Sequence, residues 1–143
     1  MLNHKSVNTS GKYQWLPTVI AFGVVYLLVG VGFPNPAASN KMQFIWRLAA
    51  WLTCAIAFVI HIWLEHFRLR NSPRRTALHA SLAVALGALG LAAAANINGL
   101  RTGTGNQRLL ALALVIWPII TGVPAFIAAL VVAAALVRIR PRV

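Results

Sequence analysis

The sequence predicts an all-α membrane protein, a single antiparallel bundle of four transmembrane helices joined by short loops. Three observations predict it. Apolar residues make up 59% of the 143-residue chain and charged residues only 10%, which leaves too little polar surface to clothe a soluble domain. The apolar residues fall into four runs, each long enough to cross the ~30 Å hydrocarbon core of a bilayer as a helix. Thirteen Lys and Arg stand against one acidic residue, Glu65, and they gather mostly between the runs. On a soluble protein a net charge of +12 would suggest nucleic acid. Placed between apolar runs, the same charges are a topology signal, and nucleic acid is not an expected partner.

The first span is expected over residues 15–33. Tyr13 and Trp15 suit a membrane–water interface, and Pro17 is tolerated in a first helical turn. Gly23, Tyr26 and Gly30 share one face, which allows a second helix to approach closely beside a phenol that needs a hydrogen-bond partner. Pro34 and Pro36 stop the helix. Lys5 and Lys12 before the run and Ala37, Ala38 and Ser39 after it resemble the flanks of a signal peptide. The run is long for such a segment, so an uncleaved span is expected.

The second span, residues 43–67, carries the polar groups. Arg47, Trp51, Cys54, Phe58, His61, Glu65 and Arg68 follow steps of three and four, so they share a helical face. Aliphatic residues and Trp fill the other faces. A polar stripe on an apolar helix turns away from lipid, so this helix is expected to face inward along the stripe. Ser72 and Pro73 break it.

The third span is expected over residues 76–97, with Ala80, Ala83, Gly87, Gly90 and Ala94 in register as a packing seam and Leu78, Leu82, Leu86 and Leu89 on another side. Asn98 and Gly99 read as a turn and residues 102–106 as a flexible loop. The fourth span, residues 109–137, exceeds the ~20 residues that a crossing requires. Pro118 and Pro124 are expected to kink it.

Descending and ascending helices bring His61, Glu65 and His79 to a similar depth. Two imidazoles and a carboxylate suit a short proton relay or transition-metal ligation, and imidazoles on facing helices could hold a haem. The plainer expectation is that Glu65 pairs with Arg68 or another arginine of the loop while the histidines hydrogen-bond across helices. His66 is expected to point away from His61 into the interface, and His4 belongs to a solvated tail. Arg47 is expected to snorkel outward or contact lipid phosphate, and Arg68, Arg70, Arg74 and Arg75 could hold anionic lipid. Cys54 reads as a small packing residue and Tyr26 as a hydrogen-bond donor inside the bundle. A single cysteine excludes an intramolecular disulfide, a CxxC pair and a Cys-rich zinc site.

No nucleotide-binding loop, HExxH helix or Ser/His/Asp set appears, and one carboxylate gives little for acid–base catalysis. The sequence is therefore read as a non-enzyme. The leading expectation is a structural or accessory subunit of a larger membrane complex, with lipids and other chains or further copies of itself as partners. It rests on having more small-residue surface than one bundle can use. A small homo-oligomeric transporter or channel using His61, Glu65 and His79 is the alternative, followed by a haem- or metal-binding protein. Lys5, Lys12, four loop arginines, Arg138, Arg140 and Arg142 lie on one side, against Lys41, Arg101 and Arg108, with Arg47 just inside. That asymmetry places both termini in the cytoplasm, in a bacterial-type inner membrane.

Overall fold

A computed structural model describes residues 15–33 and 39–139. The two terminal tails, Pro34 to Ala38, and with them His4, Lys5, Lys12, Arg140 and Arg142, lie outside the described residues. Within the described residues the chain forms four helices and no strand: α1 (Trp15–Gly32), α2 (Asn40–Trp63), α3 (Pro73–Thr102) and α4 (Gln107–Ile139). All four are long and apolar enough to cross a membrane. The protein is an integral membrane four-helix bundle.

Contacts fix the directions. Gly23 meets Leu86 and Gly30 meets Leu91, so α1 and α3 run parallel. Phe22 stacks on His61 while Phe33 meets Trp46, so α2 runs against α1. Gly99 faces Leu110, Gly122 faces Ala85, and Ala129 joins Ala77 and Ala80, so α4 runs against α3. The topology is up-down-up-down.

Helix starts follow local chemistry. Ser39 accepts the Met42 N–H at 3.4 Å, and Asn106 Oδ1 accepts from Arg108 and Leu109, each side chain serving backbone donors that a first helical turn leaves free. Pro73 opens α3, where a missing N–H costs nothing. The expected turn at Asn98 and Gly99 is instead helix, because the stop is Gly103 in the left-handed region at φ 64°. Gly99 serves packing there, since a Cβ would lie 2.6 Å from Leu110 Cδ1. Asn96 ties the pair together, donating to Ala92 O and, at 2.6 Å, to Leu110 O on α4. Helix α4 continues through Pro118 and Pro124. Between them the Thr121 hydroxyl donates to the Trp117 and Pro118 carbonyls.

The hub is α3, which touches every other helix. Its Ala77, Ala80, Ala83 and Gly87 are buried. An added Cβ at Gly87 would stand 2.6 Å from Tyr26 Cβ, and one at Gly90 would stand 3.0 Å from Leu27. Gly23 and Gly30 answer from α1 under Leu86 and Leu91. The small-residue seam is thus consumed inside the bundle, holding α1 against α3. Ala94 is exposed, because α1 ends soon after Gly30, whereas Ala92, on another face of α3, is buried.

Helix α2 faces inward over only part of its stripe. Cys54, Ala57, Phe58, His61 and Ile62 join the core, whereas Arg47 and Arg68 are exposed and Trp51 is 77% exposed. At Trp51's level α1 and α3 already touch through glycines, which leaves no slot between them. The last turn of α2 widens into a π-helical turn, Leu64–Arg68, closed by Leu69 N–H on Leu64 O at 3.2 Å. Arg70 follows in the left-handed region at φ 50°. That region costs a side-chain-bearing residue about 1–2 kcal/mol. Arg70→Gly is therefore expected to unfold at or above the wild-type temperature, and Arg70→Val below it by a few degrees, in thermal melts in detergent.

Candidate functional site: a buried carboxylate between two histidines

Glu65 is the only side-chain carboxylate of the protein, and it is 0% exposed. Its two oxygens are not equivalent. Oε2 accepts from the Asn71 amide and lies 3.0 Å from His79 Nδ1. Among the described residues Oε1 finds no hydrogen bond, and its ion-pair contact is His61 Nε2 at 3.8 Å. His61 is also 0% exposed, with neither ring nitrogen bonded. Also buried are His66, next to Glu65 in sequence, and Thr76 in the first turn of α3; among the described residues neither the His66 nitrogens nor the Thr76 hydroxyl finds a hydrogen-bond partner.

Three elements position the group. The spacing of His61 and Glu65 places them on one face of α2, and the short Leu69–Ser72 connection returns the chain so that His79, two turns into α3, meets Glu65. Helix α1 brings no charged side chain to the site, yet it supplies the walls. Trp15 stacks on His79 at 4.7 Å and 11°, and Phe22 stacks on His61 at 4.3 Å and 8°. The flat aromatic faces hold both imidazoles in plane and displace water from one side of each.

The π turn accounts for the largest departure from the expected site. Wider spacing lets consecutive residues Glu65 and His66 both turn inward, so His66 is buried and not interfacial. Glu65 also does not pair with arginine. Its two ion-pair partners among the described residues are His61 and His79, while Arg47, Arg68, Arg70, Arg74 and Arg75 are all exposed. Tyr26 does not donate as expected. Its hydroxyl is buried without a partner, and its ring sits with Ala57, Ala83 and Cys54. Cys54 is a half-buried packing residue.

Sequence reasoning found His61, Glu65 and His79. It missed Asn71, Trp15 and Phe22 as members of the site. Asn71 stands in an Asn-Ser-Pro turn, where asparagine is ordinary, and nothing local announces that its side chain folds back. Trp15 and Phe22 are apolar residues of an apolar helix.

Chemically, a carboxylate flanked by imidazoles at 3.0 and 3.8 Å can take up a proton and pass it on with small side-chain rotations. Ionisable groups inside a span mark proton or ion pathways more often than packing. Among the described residues no group of three or more His, Cys, Asp and Glu has the arrangement of a metal site. Away from Glu65, at the other end of α1 and α2, lies an open apolar cleft of about 340 Å³ between Leu28, Val29, Gly32, Phe33 and Trp46. No protein family profile matches this chain, and comparisons with curated proteins and with solved structures find no match either.

Proposed function

We propose that the protein is a small transporter or channel in which Glu65, His61 and His79 bind and relay the proton that drives or accompanies the flux. The carrying observation is the fully buried Oε1 of Glu65, which accepts no hydrogen bond from the described residues and has His61 Nε2 3.8 Å away. Removing an ion from water carries a penalty of several kcal/mol, which a partner must offset. A bundle built only to pack would be served better by an apolar residue at this position. The α1–α3 seam is closed by glycines, so a path beyond His61 would run along α2, whose outer half stands free for a second copy of the chain. The arginine-rich end, with Arg68, Arg70, Arg74, Arg75 and Arg138, is placed on the cytoplasmic side of a bacterial-type inner membrane, where it would meet anionic headgroups. Opposite it lie Lys41, Arg101 and Arg108, and the exposed Arg47 is suited to a lipid phosphate. The test is reconstitution into liposomes with a pH-sensitive dye inside: a proton flux should follow an imposed gradient, and wild-type liposomes as tight as empty ones would end the proposal.

A second reading, a non-catalytic accessory subunit, is favoured by one observation. The outer half of α2 presents Phe44 and Trp51, seven residues apart on one face, to the outside, an aromatic surface that a partner chain could cover. The small-residue seam no longer argues for it, because α1 occupies that seam. Native mass spectrometry of protein extracted gently from its own membrane separates the readings. Homo-oligomers are expected for the transporter, and unlike chains in fixed ratio would move the accessory role ahead.

A further inference from the structure

We infer that Asn71 is the positioning residue of this site, holding one oxygen of Glu65 so that the other stays free for the proton. The inference rests on the proton-path reading for its purpose, but its geometry stands separately. Residue 71 binds residue 65 twice, through its backbone N–H to Glu65 O at 3.2 Å and through its side-chain amide to Oε2. The Leu69–Ser72 turn is thereby locked onto the carboxylate that it covers. Arg70 adopts its left-handed conformation at the point where the chain must reverse to bring Asn71 back.

His79 Nδ1 lies 3.0 Å from the same Oε2 and donates to it in the tautomer that carries the proton there. Two donors on one oxygen fix the plane of the carboxylate and leave Oε1 to His61. Without the amide, the carboxylate is free to rotate about its last bond, and the distinction between the oxygens is lost. The titratable groups near Glu65 are His61 from α2, His66 from the π turn and His79 from α3. Helix α1 presents the rings of Trp15 and Phe22, and the α4 side chains packed by Ile62 include Phe126, Ala129 and Leu130, none of which titrates. Asn71 is half-buried between the enclosed Glu65 and the exposed Arg70 and Ser72. It is the member of the site placed to meet water.

Glu65 is the only acidic side chain in the sequence, so the carboxyl stretch in the infrared reports its protonation almost alone, and Glu65→Gln identifies the band. In reconstituted protein, Asn71→Leu keeps the side-chain bulk and removes the donor to the ionised form. Its midpoint should move to higher pH by ~1–2 units, the size of one charge-assisted hydrogen bond. Asn71→Gln, which keeps the amide, should return the midpoint towards wild type. An unmoved midpoint in Asn71→Leu with native helix content overturns the inference. If Asn71→Leu does not fold, the Asn71 side-chain amide in the wild type decides. Its NMR signal should shift with the same midpoint as the carboxyl band, and an amide that ignores the titration overturns the inference. A midpoint governed by Asn71 in a protein that carries no flux would remove transport and keep the positioning role. Flux with a midpoint indifferent to Asn71 would do the reverse.

Discussion

Glu65→Gln is expected to cut gradient-driven proton flux by on the order of 10²-fold or more while leaving the bundle folded. The amide has the carboxylate's shape and can still accept at one position from Asn71 and His79, but it cannot bind a proton near neutral pH. His61 and His79 would then face each other across a group that passes nothing between them. Glu65→Ala is the poorer experiment. It strands two buried imidazoles beside a cavity, and breaking a buried pair in this way destabilises by about 3–5 kcal/mol, so lost flux would report lost structure. The measurement is dye-reported flux in liposomes with helix content checked by circular dichroism. Wild-type flux in Glu65→Gln would show that the proton does not use this carboxylate.

The second large effect is expected at Gly87. A Cβ there meets Tyr26 Cβ at 2.6 Å and the Gly23 carbonyl at 3.1 Å, and neither can retreat without moving α1. Gly87→Leu should therefore separate α1 from α3, at a cost near or above the ~1–3 kcal/mol typical of overpacked cores. It should also take the aromatic walls of Trp15 and Phe22 away from the histidines. Gly32→Ala is the control, since nothing lies within 4 Å of its added Cβ, and it should melt with the wild type. Thermal unfolding in detergent reads both. A Gly87→Leu protein that melts as the wild type and only loses self-association would contradict the packing of α1 against α3.

Much of the fold was legible because a bilayer permits few solutions. Apolar runs of membrane length became helices, short connections made them antiparallel, and the ends moved by a few residues where Asn106, Pro73 and Gly103 set them. His61, Glu65 and His79 could be placed together because one short turn joins their helices. What stayed hidden depended on contacts distant in sequence or on backbone detail. Asn98 and Gly99 look like a turn until Leu110 is seen against Gly99. The face shared by Arg47, Trp51 and Cys54 is real, but only neighbouring helices decide where along α2 it is covered. The π turn leaves no mark in the sequence, and with it went the burial of His66 and the role of Asn71. Small residues on α3 announced a close contact without naming the helix that makes it.

The pairing of Glu65 with His79 spans fourteen residues, and both lie on one helical hairpin. A chain entering a bilayer must carry its costliest side chain into hydrocarbon, and an unpaired carboxylate there resists insertion. Here the partner arrives on the same hairpin, so α2 and α3 can enter together with the carboxyl group already in contact with His79. Helix α1 precedes the hairpin in the chain and receives the two imidazoles against Trp15 and Phe22. The order of the chain is thus also a workable order of assembly, in which the carboxyl group never has to wait in lipid for a partner.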